Sequence, residues 1–357
     1  MKKIILILLF ISSISAAEEK MYFQLQADVY SEVLPIHAFI NKWHSDDFQK
    51  GEHAFAHGKM RLGIKNGAWD MGWVWMYDYQ LKFSQDLSEL YYQVQNQQLV
   101  DANKTYDIKL KAQHIDAIGA RFAYQWQMND WSLITGLTAL SGRHFLDGQA
   151  RALGQTNMQD TLLERVEWLN GVIDYTYDRP ALKEDKLGWN EKARQGYGYA
   201  LDLKLQGNIT PAWQLMLNIE DIYSYMYWEE APQTAYSLAY DRNSRPRFDI
   251  RGQLDTQEEF IQRLPLKVYS ELNYQSISQP WSLGISSFIN RDLSLWQVNA
   301  SWRDEQDIKW SAHLEPQTQA AGISIEQKYF NVKYMADHWN SNRAKRQSAL
   351  LSVQYFW

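Results

Sequence analysis

The 357-residue chain contains no cysteine. Disulfides and thiolate metal centres are therefore excluded, as is a small fold stapled by cross-links. After the first twenty residues, no stretch approaches the ~18 apolar residues that a membrane-spanning helix requires. Basic blocks are also absent: 36 Lys and Arg are scattered among 42 Asp and Glu, for a net charge of −6. That pattern offers nucleic acid no footing and mainly keeps exposed parts soluble. No internal repeat, low-complexity tract or linker divides the sequence, so one domain is expected.

Aromatic residues, by contrast, are abundant. The chain carries 16 Trp and 22 Tyr at a mean hydropathy of only −0.50. A soluble domain is seldom so polar and so aromatic at once. A transmembrane β-barrel is, because lipid-facing and lumen-facing residues alternate and aromatic girdles mark both interfaces.

The start of the chain, "MKKIILILLFISSISAAEEK", has a charged opening (Lys2, Lys3), an apolar run from Ile4 to Ile11, and small residues at Ser15 and Ala17. It reads as a secretory leader cut after Ala17, with 18–357 as the exported barrel domain.

Period-2 patterning recurs along the rest. In "AWDMGWVWMYDYQLKF" one face holds Trp69, Met71, Trp73, Trp75, Tyr77, Tyr79, Leu81 and Phe83, and the other Asp70, Asp78, Gln80 and Lys82. Leu201, Leu203 and Leu205 share a face against Asp202 and Lys204, while Trp213 to Tyr227 repeats the pattern with one misfit, Asp221. A soluble sandwich alternates too, but its inner face is mostly Val, Ile and Leu. Here the aromatics gather at the ends of the apolar faces, as two girdles about 25 Å apart require.

Short turns rich in Asn, Asp, Pro and Gly (65–70, 127–131, 208–213, 276–281 and 303–307) alternate with long connections (31–56, 84–103, 143–195 and 228–261). The result is an all-β, antiparallel up-and-down transmembrane barrel of about fourteen strands. These fall near 21–30, 57–66, 69–83, 104–127, 131–142, 196–207, 213–227, 262–275, 281–290, 293–303, 307–315, 320–328, 329–337 and 347–357. Segment 104–127 is either one long projecting strand or a merged hairpin, so twelve or sixteen strands stay open. "VEWLNGVIDYTYD" reads as a further strand inside the 143–195 loop.

The last strand closes this list with Leu351, Val353, Tyr355 and Trp357 on one face and Ser352 and Gln354 between them. An export leader, alternation throughout and an aromatic end resemble bacterial outer-membrane β-barrel proteins of broadly porin-like type. The resemblance implies an outer-membrane location, with short turns and both termini in the periplasm. It implies contact with outer-membrane lipid including lipopolysaccharide, and recognition of Leu351, Val353, Tyr355 and Trp357 by the barrel-assembly machinery.

On these registers thirteen basic residues face the lumen against eight acids, a balance of +5. The pore-lining candidates are Lys59, Arg61, Asp78, Lys109, Lys111, Arg121, Lys204, Glu220, Arg263, Lys267, Glu271 and Arg303. A basic lumen favours small anionic solutes, unless facing charges merely pair and brace the wall. A non-conducting barrel serving as adhesion, assembly or secretion partner through its long loops is the alternative. Enzymatic activity is not expected. The outward polar misfits are His114 with Asp116, and Asp221, and no Ser is matched to them. No cofactor is implied. His37, His44, His53 and His57 are the metal candidates, the last two at a helical i, i+4 spacing. Their other spacings are irregular, and a loop tolerates His for solubility, so no metal site is expected.

Overall fold

The computed structural model describes residues 19–159, 165–182 and 184–357. The expected leader, residues 1–17, lies outside the described residues. The strands are β1 (Lys20–Ser31), β2 (His53–Asn66), β3 (Trp69–Phe83), β4 (Thr105–Met128), β5 (Trp131–Thr156), β6 (Val166–Tyr177), β7 (Gly196–Thr210) and β8 (Trp213–Asp241). They continue as β9 (Arg245–Arg263), β10 (Lys267–Gln275), β11 (Trp281–Ile289), β12 (Ser294–Arg303), β13 (Lys309–Glu315), β14 (Ala320–Gln327), β15 (Phe330–Ala336) and β16 (Arg346–Phe356).

Every pairing is antiparallel. β1 pairs with both β2 and β16, from Lys20 opposite Phe356 to Tyr30 opposite Arg346, so the terminal strands close a ring. β5 uses its lower half for β7 and its upper half for β6. β8 likewise meets β7 and β10 below, and β6 and β9 above. The closed ring therefore contains fourteen strands, all except β6 and β9. Together with the upper parts of β4, β5 and β8, those two form a sheet that rises beyond the ring on the long-loop side.

Two expected loops are largely strand. Residues 228–261 form a hairpin arm because no turn signal breaks the alternation before Asp241, whose carboxylate accepts from the Asn243 and Ser244 amides. Segment 104–127 is one strand, and opposite Asp116 and Ala117 its partner β5 bulges by one residue, Arg143. "VEWLNGVIDYTY" is β6, inside its long connection. Connection 84–103 instead holds a helix, α2 (Gln85–Gln95), which follows the short α1 (Ile36–Ile40) of the first long loop. Ser84 caps α2 by accepting from the Leu87 amide, and Asp86 occupies its first turn. This helix was missed because its apolar period is short and sits in a segment rich in Gln. Val33, Leu34, Ala38, Ala54 and Phe83 form a second small core around these loops, with Phe48 stacked on Tyr92 at 4.1 Å.

Candidate functional site

Strand alternation points one residue in two into the ring. Because the polar set faces inward, the interior is wet rather than oily. A cavity of about 830 Å³ occupies it. Its lining includes nine basic and seven acidic residues, a balance of +2, and a broad field of amides and hydroxyls from Gln, Asn and Ser. Near the short turns, Lys20, Lys65, Gln125 and Gln354 are partly exposed. Higher up, the same inward faces reach Lys59, Asp78, Glu220 and Lys267, which are buried. The exposure of the inward faces thus falls from the turn side to this layer.

The layer is a network of ion pairs, most of them with at least one buried partner. Lys267 Nζ lies 2.6 Å from Asp78 Oδ2 and 2.9 Å from Asp221 Oδ2. Lys59 meets Glu220 at 2.8 Å, and Arg61 spans Glu220 at 3.3 Å and Asp202 at 3.8 Å. Arg121 bridges Asp70 at 3.0 Å and Asp202 at 3.5 Å. Gly136 stands opposite because a Cβ there would fall 2.6 Å from the Arg121 guanidinium. Across the lumen, Arg346 holds Glu315 at 2.8 Å and Asp28 at 3.1 Å. Buried charges persist only when paired and hydrogen-bonded, since each costs several kcal/mol to dehydrate. Here the partners come from strands far apart in sequence, so the layer cross-braces the ring.

Above the layer the interior turns apolar. Phe145 stacks on Trp228 at 4.2 Å, with Met76, Ile115, Met226 and Leu264 around them. Opposite Asp116 and Ala117, β5 carries Arg143 as one extra residue, which resets its alternation and turns Phe145 inward.

The sequence-predicted site residues divide accordingly. Lys59, Arg61, Arg121, Lys204, Glu220 and Glu271 face the cavity. Asp78 and Lys267 lie in the ion-pair layer. Lys111 stands at the rim in a small pocket with Gln113 and Arg291. Three candidates lie away from the lumen. Lys109 is exposed on the projecting part of β4 and pairs with Asp107. Arg263 is exposed, its guanidinium 5.1 Å from the centre of the Tyr225 ring. Arg303 reaches Asp307 in a turn. In each case strand parity was read past the point where the wall ends or bulges. Arg346 and Asp28 are central to the layer yet absent from the predicted set. Arg346 sits one residue before the strand start expected from the alternation.

The histidines do not converge. His53 and His57 lie in strand β2, not on a helix face, because the alternation begins earlier than the expected strand. His53 approaches Glu32 at 3.2 Å and His57 approaches Asp78 at 3.4 Å. His37 contacts Asn41, and His44 contacts Asn96. Among the described residues, no group of three or more His, Asp or Glu is placed to hold a metal. The outward misfits have structural partners. His114 packs against Tyr77 and Tyr79 and donates to the Asp78 carbonyl, while Asp116 accepts from the Trp75 indole at 3.0 Å.

The outer surface reverses the inner one. Leu62, Ile64, Met71, Phe122, Leu203, Ile285, Val298, Ile323, Val332 and Val353 are exposed on a closed ring. At the turn side a belt of rings runs through Trp69, Tyr124 and Trp126, and through Trp213, Tyr274 and Trp281. At the loop side Tyr197, Tyr199, Tyr223, Tyr225 and Tyr227 pack together. An apolar band between two aromatic girdles on a closed antiparallel ring defines an integral β-barrel of the bacterial outer membrane.

No family model and no curated protein matches the chain. Among solved structures it is similar to the CymD monoaromatic hydrocarbon channel, at 10% identity and a TM-score of 0.43, over 95% of this chain and 88% of that one. It is also similar to the Ralstonia pickettii toluene transporter TbuX, at 10% identity and 0.41, over 96% and 89%. The P. putida toluene transporter TodX matches at 9% identity and 0.42, over 96% and 91%.

Proposed function

We propose that the barrel is a gated outer-membrane channel for small polar solutes, with a modest preference for anions. One observation carries this reading: a polar, charge-lined cavity is reached from the turn side and is crossed by a network of reciprocal ion pairs. The toluene and monoaromatic hydrocarbons in the names of the similar structures would find few apolar contacts on this lining, so polar solutes suit it better. The anion preference is weaker than the +5 read from the sequence, because the lining balance is +2.

The projecting sheet favours a second reading, a surface partner. Among the described residues β9 pairs only with β8, which leaves its other edge open to an added strand. Conductance of refolded protein in planar bilayers separates the two. The wild type is expected to conduct weakly, and the neutral combination Asp78→Asn, Asp221→Asn, Lys267→Met to raise conductance severalfold with a moderate shift towards anions. A silent wild type together with a silent but folded variant would remove the channel and leave the surface reading.

A further inference from the structure

The lumen's charges are not evenly satisfied. Asp70, Asp202, Glu220, Glu315 and Asp28 are engaged by Lys59, Arg61, Arg121 and Arg346, and Glu326 by Lys309 at 3.6 Å. Lys65 has no such partner: its Nζ donates to the Gln125 amide oxygen at 2.6 Å, and no carboxylate lies within 4.0 Å of it among the described residues. Lys204 lines the cavity with no hydrogen bond or ion pair among the described residues. The charges that act on it are Arg61, Glu271, Lys20 and Lys65, three cations to one acid.

Register brings the two lysines to one sector. Gln125 stands opposite Ile134 of β5, and Ile134 opposite Lys204 of β7. The amide holding Lys65 is therefore two strands, roughly 10 Å, from the Lys204 backbone. Gln206 lies two residues from Lys204 on the same inward face, and Asn218 opposite Lys204 on β8. The sector offers two ammonium groups and three amides around the cavity; Asp70, Asp202 and Glu220 are committed to other cations, and Glu271, which accepts from Asn273, is the one acid left beside Lys204.

We propose that this sector, on the periplasmic side of the ion-pair layer, binds a phosphate group, carried free or on a small solute, between Lys65 and Lys204. Tetrahedral oxyanions take several donors at once, and charge-assisted bonds from ammonium groups are stronger than neutral ones. Gln125 and Gln206 supply neutral donors, Asn218 is turned to Glu220 at 3.3 Å, and Ile134 shields one flank. The site deepens the channel reading, on which its transport role rests, but binding itself requires only entry from the turn side.

The test uses the refolded full-length barrel in detergent, titrated with inorganic phosphate and followed by calorimetry and phosphorus-31 line broadening. Saturable binding is expected, weakening as chloride is raised. Lys65→Gln with Lys204→Gln should reduce affinity about tenfold or more. Lys204→Arg should keep most of it, and Arg303→Gln, at the exposed end of β12 and outside the cavity lining, should change nothing. Heat-modifiable migration confirms that each variant is folded. No saturable binding by the wild type, or affinity unchanged in the folded double variant, would overturn the site. Binding by a barrel that does not conduct keeps the site and removes the channel; conduction without binding does the reverse.

Discussion

Asp221, which by strand parity belongs on the lipid face, places its carboxylate 2.9 Å from the ammonium of Lys267 inside the barrel. The inversion is local. Asp221 has φ +60° in a β-bulge where β8 carries extra residues opposite β7, and its amide donates to Asp202 Oδ1 at 3.3 Å. A non-glycine residue in the left-handed region is uncommon and persists where surrounding structure imposes it. Here the imposed geometry delivers a second acid to Lys267, which is only 1% exposed.

Replacing Lys267 by Met should therefore cost about 3–5 kcal/mol of unfolding free energy, because Asp78 and Asp221 become buried and unpaired. The triple neutral variant should regain most of that loss. Urea unfolding of the barrel in liposomes, run as a mutant cycle, measures it. Equal destabilisation in the single and triple variants would mean that volume, not charge, governs the layer.

The fourteen ring strands were legible because each keeps its alternation, from Trp69 to Phe83 and from Trp213 to Ile219. The wet lumen followed from the same parity. What the sequence hid were the three places where parity breaks: the bulges opposite Asp116/Ala117 and at Asp221, and the join between β9 and β10. The single extra residue of β5, Arg143, flips the side chains beyond it to the other face, whereas the two extra residues of β8 around Asp221 turn Asp221 inward and leave the later parity unchanged. Arg263 reads as lining because it ends β9, before the join to β10. The convergence of Arg346 on Asp28 and Glu315 was hidden differently, since the three lie on separate strands that only ring closure brings together.

The first long loop depends on one carboxylate. Glu32 Oε2 accepts from the Glu52 amide at 2.6 Å and the His53 amide at 3.1 Å, and Oε1 faces His53 Nδ1 at 3.2 Å. Burial works to raise this carboxyl, but the bonds from His53 and the two amides outweigh it and hold it below the ordinary value of 4.5. A depressed folded value means that the stabilisation is complete above pH 4.5 and is lost as pH falls through the lower, folded value. The protection of residues 33–52 against hydrogen exchange, relative to the intrinsic rate at each pH, should thus fall on acidification below pH 4.5, and Glu32→Gln should show the low protection at neutral pH. Protection that does not change with pH in the wild type would exclude the carboxylate as the anchor.

Closure of the ring depends on the last residues. The Trp357 indole donates to the Glu19 carboxylate at 2.7 Å, and Leu351, Val353 and Tyr355 face lipid. Changing Tyr355 and Trp357 to Asp sets charge on a surface that must enter the membrane. Export should continue while heat-modifiable barrel disappears from the outer membrane and chain is degraded. Normal levels of assembled double variant would rule out this role for the terminal strand.

The wall is not of even height, and that gives the sharpest test of how it sits in lipid. On β4 the outward residues run from Trp126 at the lower girdle to Asp116, ten positions, which spans roughly 25 Å at 3.4 Å per residue and ~40° tilt. On β13 only Trp310, Ala312 and Leu314 face outward before the chain turns at Pro316, which covers about 10–15 Å by the same conversion. Tilting the whole barrel cannot lengthen one side, so lipid beside β12, β13 and β14 must thin to match. Leu314 and Phe122 each lie four residues above a girdle Trp and are 48% and 47% exposed. In a bilayer of uniform thickness both would sit near the midplane, where Lys costs about 2–4 kcal/mol. With thinning, Leu314 lies at the upper interface, where the cost falls to about 0–1 kcal/mol. Phe122→Lys should therefore destabilise the barrel in liposomes strongly and Leu314→Lys hardly at all, with the gap narrowing in short-chain lipid. Equal penalties in thick bilayers would mean that the membrane keeps its full thickness along the low wall.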